Sequence, residues 1–268
     1  MIPDYSTPGS KGTPWKRLRE ISLGKSIREE VQFNTDFFRE NVNNTHLTEE
    51  EKRDIEILLR ALHDDSHWHK GILSFGDDSI GDKVVLSEER KSYLELFVER
   101  HLLPENEEDR DDDLVKEIQA VRVLGEYKKG TIILYINNIK DSANETNAPG
   151  FYDLPYLTVT RYVYLHELMH AYFVRKENKG YKYDREREEA FAEFGALLLL
   201  DRLVRTNHRI NHASKEELEW AIRHVEGKRG ALKCYSRGAS LFKRFCQDEE
   251  LASKMLAAYP NLSFPDLV

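Results

Sequence analysis

The sequence predicts an α+β fold, and three segments carry this prediction. Residues 157–173 place apolar and aromatic side chains at helical spacing without an interrupting Gly or Pro. Residues 185–197 repeat that pattern, which indicates a second helix. Residues 118–124 and 131–136 alternate in polarity and are rich in β-branched residues, so they predict two strands. We therefore expect a small sheet before two buried helices, with helical additions at both ends of the chain.

The composition favours a soluble protein and excludes several classes of partner. The chain has 268 residues, of which 40% are hydrophobic and 33% are charged, enough for one large domain or two small ones. A net charge of -8 gives no attraction to nucleic acid or to an anionic membrane. Neither a transmembrane run nor a signal peptide is visible. We therefore expect a cytoplasmic protein, with Cys234 and Cys246 as reduced thiols and a disulfide between them as the alternative.

Residues 1–110 form a predicted N-terminal region, mainly helical, that begins with a basic arm over residues 1–30. Short helices are expected near residues 15–20 and over 34–43. Thr48 and Glu51 have the spacing of a capping box and predict a helix start, and residues 83–86 predict a strand. Ser87 is the predicted N-cap of a further helix, whose apolar face is formed by Tyr93, Leu94, Leu96 and Phe97.

Two features of this region suggest metal binding only weakly. His63, His67 and His69 lie within seven residues, but no carboxylate or cysteine spacing accompanies them, so a polar helix end is the preferred interpretation. The acidic run 105–113 lacks the ligand spacing of a calcium loop and is interpreted as a linker. This run places a domain boundary near residue 110.

Residues 125–130 contain two Gly and two Lys residues and are predicted as the turn of a hairpin between 118–124 and 131–136. A loop over 141–153, rich in Asn and containing Pro and Gly, leads to the first of the two buried helices.

The motif His-Glu-x-x-His is the strongest chemical signal in the chain. His166 and His170 are separated by one helical turn, so both rings can reach one metal ion. Glu167 lies beside that ion, where its carboxylate can take a proton from a water molecule. A helix with two hydrogen-bonded histidines and a surface glutamate is the alternative, but lone histidines are costly in a segment this apolar.

A third metal ligand is predicted on the second helix. Glu189 and Glu193 share one face, which suggests that one carboxylate binds the metal and the other orients a histidine. Glu188 remains an alternative ligand, since the start of the helix is difficult to place. A solvated charged face formed by Glu186 and its neighbours is the other interpretation.

These two segments resemble the gluzincin branch of zinc metallopeptidases, in which a glutamate ligand often stands in the sequence Glu-Ala-x-x-Asp. The run from Glu189 to Glu193, Glu-Ala-Phe-Ala-Glu, is similar, with Glu193 at the position of the Asp. The segments also resemble small cytoplasmic peptidase domains that cleave bacterial repressors. The resemblance covers roughly residues 119–200.

The resemblance implies a zincin-like core over residues 111–205, with zinc held by His166, His170 and Glu189. It implies that Glu167 acts as general base and that Glu193 lies behind a ligand histidine. It also suggests that strand 131–136 borders the cleft and pairs with an extended peptide, although an ordinary core strand remains the alternative. A donor to the oxyanion is expected among five candidates: Tyr181, Tyr183, His208, His212 and His224.

Residues 206–268 form a predicted C-terminal helical region, with helices over 215–226, 239–245 and 249–259, and carry no chemical motif. The function that the sequence favours is zinc-dependent hydrolysis of a peptide or protein substrate. A zincin-like regulatory or interaction module that binds metal without turnover is the alternative. A helical structural protein with a chance motif is the third possibility.

Overall fold

The structure is a computed structural model, and it describes residues 48–64, 83–99, 115, 118–119, 121–150, 154–177, 185–205, 213–226, 228 and 232–248. Within these residues the fold is α+β, mostly helical with a three-stranded sheet. The helices are α1 (Glu49–Asp64), α2 (Tyr93–Glu99), α3 (Ile136–Glu145), α4 (Pro155–Glu177), α5 (Arg185–Arg205), α6 (Lys215–Glu226) and α7 (Lys233–Gln247). The strands are β1 (Lys83–Ser87), β2 (Gly125–Lys128) and β3 (Thr131–Tyr135).

The sheet has the order β1-β3-β2, so β3 is the central strand. Its Ile132 pairs with Val84 of β1 in the parallel direction and with Tyr127 of β2 in the antiparallel direction. The segment 131–136 therefore is not the edge strand that the family resemblance suggested. Among the described strands, β2 takes that position on the side of the hairpin.

The hairpin exists, but its first strand lies later in the chain than the prediction placed it. Strand β2 occupies the segment 125–128, which was predicted as turn, whereas Ile118 is helical and Arg122 forms only an isolated bridge with Ser92. The turn is reduced to Lys129 and Gly130, with φ of 51° and 77°. Positive φ at both central residues matches the twist of the flanking strands, so a two-residue turn suffices.

The start of α2 was also predicted too early. Ser87 ends β1, and its Oγ accepts a hydrogen bond from the backbone N–H of Glu89 at 3.2 Å. The capping box lies at Ser92, whose Oγ accepts from the N–H of Glu95 at 3.3 Å while the Glu95 carboxylate accepts from the N–H of Ser92 at 2.6 Å. Ser92 has a glutamate three residues later and Ser87 has an arginine, which is why the cap forms at Ser92.

The predicted capping box at Thr48 and Glu51 is confirmed: the N–H of Thr48 donates to Glu51 at 2.8 Å, and the N–H of Glu51 donates to Thr48 at 3.2 Å. The predicted helix 215–226 is confirmed as α6, and 239–245 lies inside the longer α7. The predicted helices 15–20, 34–43 and 249–259, the acidic run 105–113, His67 and His69 lie outside the described residues.

Helix α4 lies at the centre of the described fold. It contacts α1, α3 and α5 as well as strands β2 and β3, and its side chains from residue 156 to 172 are all buried. Polar groups on such a helix need partners, because an unpaired buried charge costs several kcal/mol. Arg161, fully buried, donates to Glu217 of α6 at 2.7 Å, and Thr158 donates to the same carboxylate at 3.1 Å.

The other side of the sheet is covered by an apolar cluster around α2. Its buried members are Tyr93, Leu96, Phe97, Ile118, Val123, Tyr135 and Leu232. The cluster connects the sheet to α7, because the hydroxyls of Tyr93 and Tyr235 lie 2.6 Å apart. Helix α7 also packs on α5 and α6, so both described helices of the C-terminal region contact the helices of the predicted core.

None of the helices in the described part of the chain combines the length and apolar character that crossing a bilayer requires. Both cysteines are free thiols; Cys234 is buried and Cys246 is exposed.

Candidate metal centre

Helix α4 brings the two histidines of the motif together. The rings of His166 and His170 are buried and lie 4.8 Å apart between centroids, and their Nε2 atoms are 3.1 Å apart. This follows directly from their spacing of four residues, which places both side chains on one face of the helix.

Glu189 of α5 supplies the third converging atom. Its Oε2 lies 3.3 Å from the Nε2 of His166 and 3.4 Å from the Nε2 of His170. Helix α5 can approach α4 this closely at Gly195, where a Cβ would lie 2.4 Å from Cε and 2.7 Å from Cγ of Met169. The three ligand atoms all lie within 4.8 Å of one another.

The spacing of these atoms suits zinc. A tetrahedral zinc ion with bonds of about 2.0–2.1 Å separates its ligand atoms by about 3.3–3.4 Å. The observed separations of 3.1, 3.3 and 3.4 Å are close to this value. Two imidazoles and one carboxylate are also a donor set of catalytic zinc sites, which keep a fourth position open.

A further carboxylate faces the outer nitrogen of each histidine. Glu188 Oε1 lies 2.8 Å from Nδ1 of His170, and Glu193 Oε2 lies 3.4 Å from Nδ1 of His166. Glu193 is fully buried and also accepts a hydrogen bond from the hydroxyl of Tyr162 at 2.6 Å. Such outer carboxylates fix the tautomer and orientation of ligand histidines. The alternative ligand Glu188 is thus placed behind His170, and the converging carboxylate is that of Glu189.

The electrostatics of the cluster favour positive charge. Burial by itself lowers the pKa of His166, but the carboxylates of Glu189 and Glu193 outweigh burial and raise that pKa to about 9. The pKa of His170 is likewise raised well above its ordinary value against the effect of burial, chiefly by Glu189 and Glu188. Burial opposes ionisation of Glu189, yet the two histidines hold its pKa well below the ordinary value. Three carboxylates around two imidazoles therefore create a site for protons or for a cation.

Glu167 opens onto a cleft beside this cluster. The cleft lies between β2, α4, α6 and α7. Its lining residues are Tyr93, Val121, Arg122, Val123, Leu124, Gly125, Tyr162, Val163, His166, Glu167, His224, Val225, Lys228, Leu232 and Tyr235. Glu167 is only 5% exposed, so its carboxylate is accessible mainly from this cleft.

Strand β2 approaches Glu167 closely because residue 125 is a glycine. A Cβ at Gly125 would lie 2.6 Å from Cγ1 of Val163 and 2.9 Å from Oε1 of Glu167. The N–H of Tyr135 donates to the carbonyl of Leu124 at 2.9 Å, so the alternation of an antiparallel ladder directs the N–H and C=O groups of Gly125 away from β3. The main-chain N–H and C=O groups of Gly125 therefore lie next to Glu167, on the side of β2 where none of the described strands pairs.

Tyr235 is a residue of the site that the sequence did not indicate. Its ring stacks on the ring of His166, with centroids 5.6 Å apart and planes 24° apart. Burial, reinforced by the charge of Glu189, raises the pKa of Tyr235, so the phenol keeps its proton. No local motif could have identified Tyr235, because α7 reaches the site only through tertiary packing.

Of the five candidate oxyanion donors, His224 lies on the cleft. Its ring stacks on Trp220 with centroids 5.1 Å apart. Burial, with a contribution from the charge of Lys228, lowers the pKa of His224 to about 4, so the ring is neutral at pH 7. Tyr181, Tyr183, His208 and His212 lie outside the described residues.

No protein-family model, curated protein or solved structure gives a significant match to this chain.

Proposed function

We propose that this chain is a zinc-dependent metallopeptidase with a zincin-like core of the gluzincin type, in which His166, His170 and Glu189 hold the metal. The observation that carries this proposal is the convergence of their three ligand atoms at 3.1–3.4 Å. The carboxylates behind both histidines support it, because they supply the negative charge that a bound dication would balance.

The chemistry follows from the groups that line the cleft. Zinc held by these ligands would polarise a carbonyl group and lower the pKa of a water molecule to about 7. The carboxylate of Glu167 would accept the proton of that water and pass it to the leaving amine. The neutral imidazole of His224 and the phenol of Tyr235 line the same cleft and are the described side chains that could donate to an oxyanion.

The outer edge of β2 supports a peptide as substrate. Gly125 directs its N–H and C=O groups away from β3. An extended chain could pair with these groups and would then pass directly beside Glu167. This role belongs to β2, because β3 is enclosed between two strands.

The experiment combines metal content with hydrolysis. Protein purified without added metal is examined by elemental mass spectrometry and then incubated with a synthetic peptide mixture whose products are identified by mass spectrometry. We expect one zinc per chain, and we expect Glu167→Gln to retain it while hydrolysis falls about 10²–10⁴-fold. Glu186→Gln, an exposed position on α5, is the matched control and should stay active.

Three results would contradict the proposal. Failure to take up micromolar zinc would show that the converging atoms do not form a metal site. A fully active Glu167→Gln would exclude the proposed role of that carboxylate. Stoichiometric zinc without hydrolysis of any peptide would favour a regulatory or interaction module instead.

A further inference from the structure

The cleft beside Glu167 is lined mainly by apolar side chains. Six of its residues are aliphatic: Val121, Val123, Leu124, Val163, Val225 and Leu232. Such a surface favours an apolar group of the substrate, because it is removed from water on binding. Two cationic side chains, Arg122 and Lys228, interrupt this apolar lining.

The two cations differ in their partners. Arg122 donates to Glu145 at 2.6 Å and lies 3.9 Å from Asp141, so its charge is already balanced. Lys228 has no ion pair within 4.0 Å to any residue in the part of the chain that the structure describes. The described carboxylate that acts on the charge of Lys228 is Glu193, which is fully buried and already accepts a hydrogen bond from Tyr162.

Lys228 also sits in an unfavourable environment for a cation. Burial lowers its pKa, against the effect of Glu193, because the ammonium group has lost part of its hydration. A carboxylate that enters the cleft would restore hydrogen bonds to this group in a region of reduced dielectric. Among the residues that the structure describes, the arrangement is therefore an apolar cleft with Lys228 as an incompletely compensated cation at its wall.

We infer that Lys228 binds a carboxylate of the substrate, so that the cleft selects peptides in which an apolar residue is accompanied by an acidic side chain or by the free carboxyl terminus. This inference rests on the proposed peptidase function and deepens it by naming the substrate class. Both sources present the same anionic group, and matched peptides can separate them.

The experiment uses the full zinc-loaded chain and three protein variants. Lys228→Gln removes the charge, Lys228→Glu reverses it, and Lys215→Gln changes an exposed lysine of α6 as the matched control. The peptides share one apolar core and form two series. One series has blocked ends and carries Glu, Gln or Lys at each position around the core, and the other has Gln throughout and ends in a free or an amidated carboxyl group.

Hydrolysis is measured as kcat/KM, and binding of the same peptides is measured in parallel by fluorescence anisotropy. We expect wild type and Lys215→Gln to prefer a carboxylate about tenfold, a typical effect of one charge pair in a partly buried site. Lys228→Gln should abolish the preference, and Lys228→Glu should favour the Lys peptides. Selection in the blocked series identifies an acidic side chain, and selection in the second series identifies the chain terminus.

Several outcomes would overturn the inference. Equal use of Glu and Gln together with equal use of free and amidated ends would exclude carboxylate selection. A preference for carboxylates that survives in Lys228→Gln would overturn it, and so would a loss of zinc in that variant without a change of preference. Either result would mean that Lys228 offsets the negative charge of Glu193 and does not bind the substrate.

The two proposals fail separately. Hydrolysis without carboxylate selection overturns only the role of Lys228, whereas carboxylate-selective binding without hydrolysis overturns only the peptidase function. Absence of both binding and hydrolysis overturns both.

Discussion

Helix α4 carries two buried polar centres that differ in their charge balance. At one end, Arg161 meets Glu217, a permanent cation against one carboxylate, with both side chains at most 2% exposed. About one and a half to two and a half turns further on, His166 and His170 are surrounded by Glu188, Glu189 and Glu193. Neutral imidazoles cannot balance three carboxylates.

This difference supports the proposal that the histidine centre binds a ligand, whereas the ion pair is structural. The pair of Arg161 and Glu217 balances one positive charge with one negative charge and links α6 to α4. The histidine centre reaches charge balance only when protons or a cation supply positive charge. The raised pKa values of His166 and His170 reflect this need. Excess negative charge in a buried polar cluster is thus a stronger indication of cation binding than the burial of its polar groups alone.

The largest expected effect is the loss of zinc from Glu189→Ala. This change removes one of the three converging atoms and leaves two neutral nitrogens, so we expect no zinc retained after dialysis against metal-free buffer. Elemental mass spectrometry and a zinc-competition titration measure it, with Glu186→Ala of the same helix as control. Wild-type zinc affinity in Glu189→Ala would move the third ligand elsewhere.

The structural pair should respond in stability and not in metal content. Arg161→Met leaves the carboxylate of Glu217 buried without its cation, which should lower the free energy of unfolding by about 3–5 kcal/mol. Denaturant titration of the zinc-loaded protein measures this change. The double variant Arg161→Met/Glu217→Leu should recover most of the loss, and a double variant as unstable as the single one would show that the pair is not self-contained.

His224, a half-buried histidine on α6, extends the comparison to a group without a neighbouring carboxylate partner among the causes of its pKa shift. Burial, with a smaller contribution from the charge of Lys228, lowers the pKa of His224 to about 4, whereas the carboxylates of Glu189 and Glu193 outweigh burial at His166 and raise its pKa to about 9. The unfolded chain protonates His224 first, so stability is full above about pH 6.5 and decreases as the pH falls towards 4. The decrease should reach about 3 kcal/mol at pH 4.

Stability curves from pH 7.5 to pH 4 for wild type and His224→Gln measure this effect. The difference between the two curves is the quantity of interest, because it removes the contribution of other groups. Parallel curves would mean that His224 is as hydrated in the folded chain as in the unfolded chain.

The smallest expected effects come from the outer carboxylates. Glu188→Gln and Glu193→Gln keep the shape of the side chain but weaken its hold on the histidine, so each should reduce zinc affinity by about 10–100-fold, equal to about 1.4–2.7 kcal/mol. Zinc-competition titration measures both variants. An unchanged affinity in both would show that the histidines are oriented by helix packing alone.

The chemistry-bearing part of the site follows from local sequence. A spacing of four residues places His166 and His170 on one face, and the pairing of Glu189 with Glu193 anticipated one carboxylate at the cluster centre and one behind a histidine. The choice between Glu188 and Glu189 depended on the rotation of α5, which only its packing against α4 determines. Periodicity alone could not supply that rotation.

The wall of the cleft could not be predicted, because it depends on contacts between distant segments. Tyr235 reaches His166 through the packing of α7, and no nearby residue signals this. The error in the hairpin has a different cause: Gly125 resembles a turn residue in sequence, but it serves the close approach of β2 to α4. A glycine has the same signature in both roles.

The packing at Gly195 has a consequence for ion size. At Gly195 the backbone of α5 lies directly against the side chain of Met169 on α4, with no side chain of residue 195 between them. Hard cations such as calcium take bonds of about 2.3–2.6 Å and need a wider bite than zinc. We therefore expect the close approach of α5 to α4 at Gly195 to favour a zinc-sized ion over a calcium-sized ion at the proposed site.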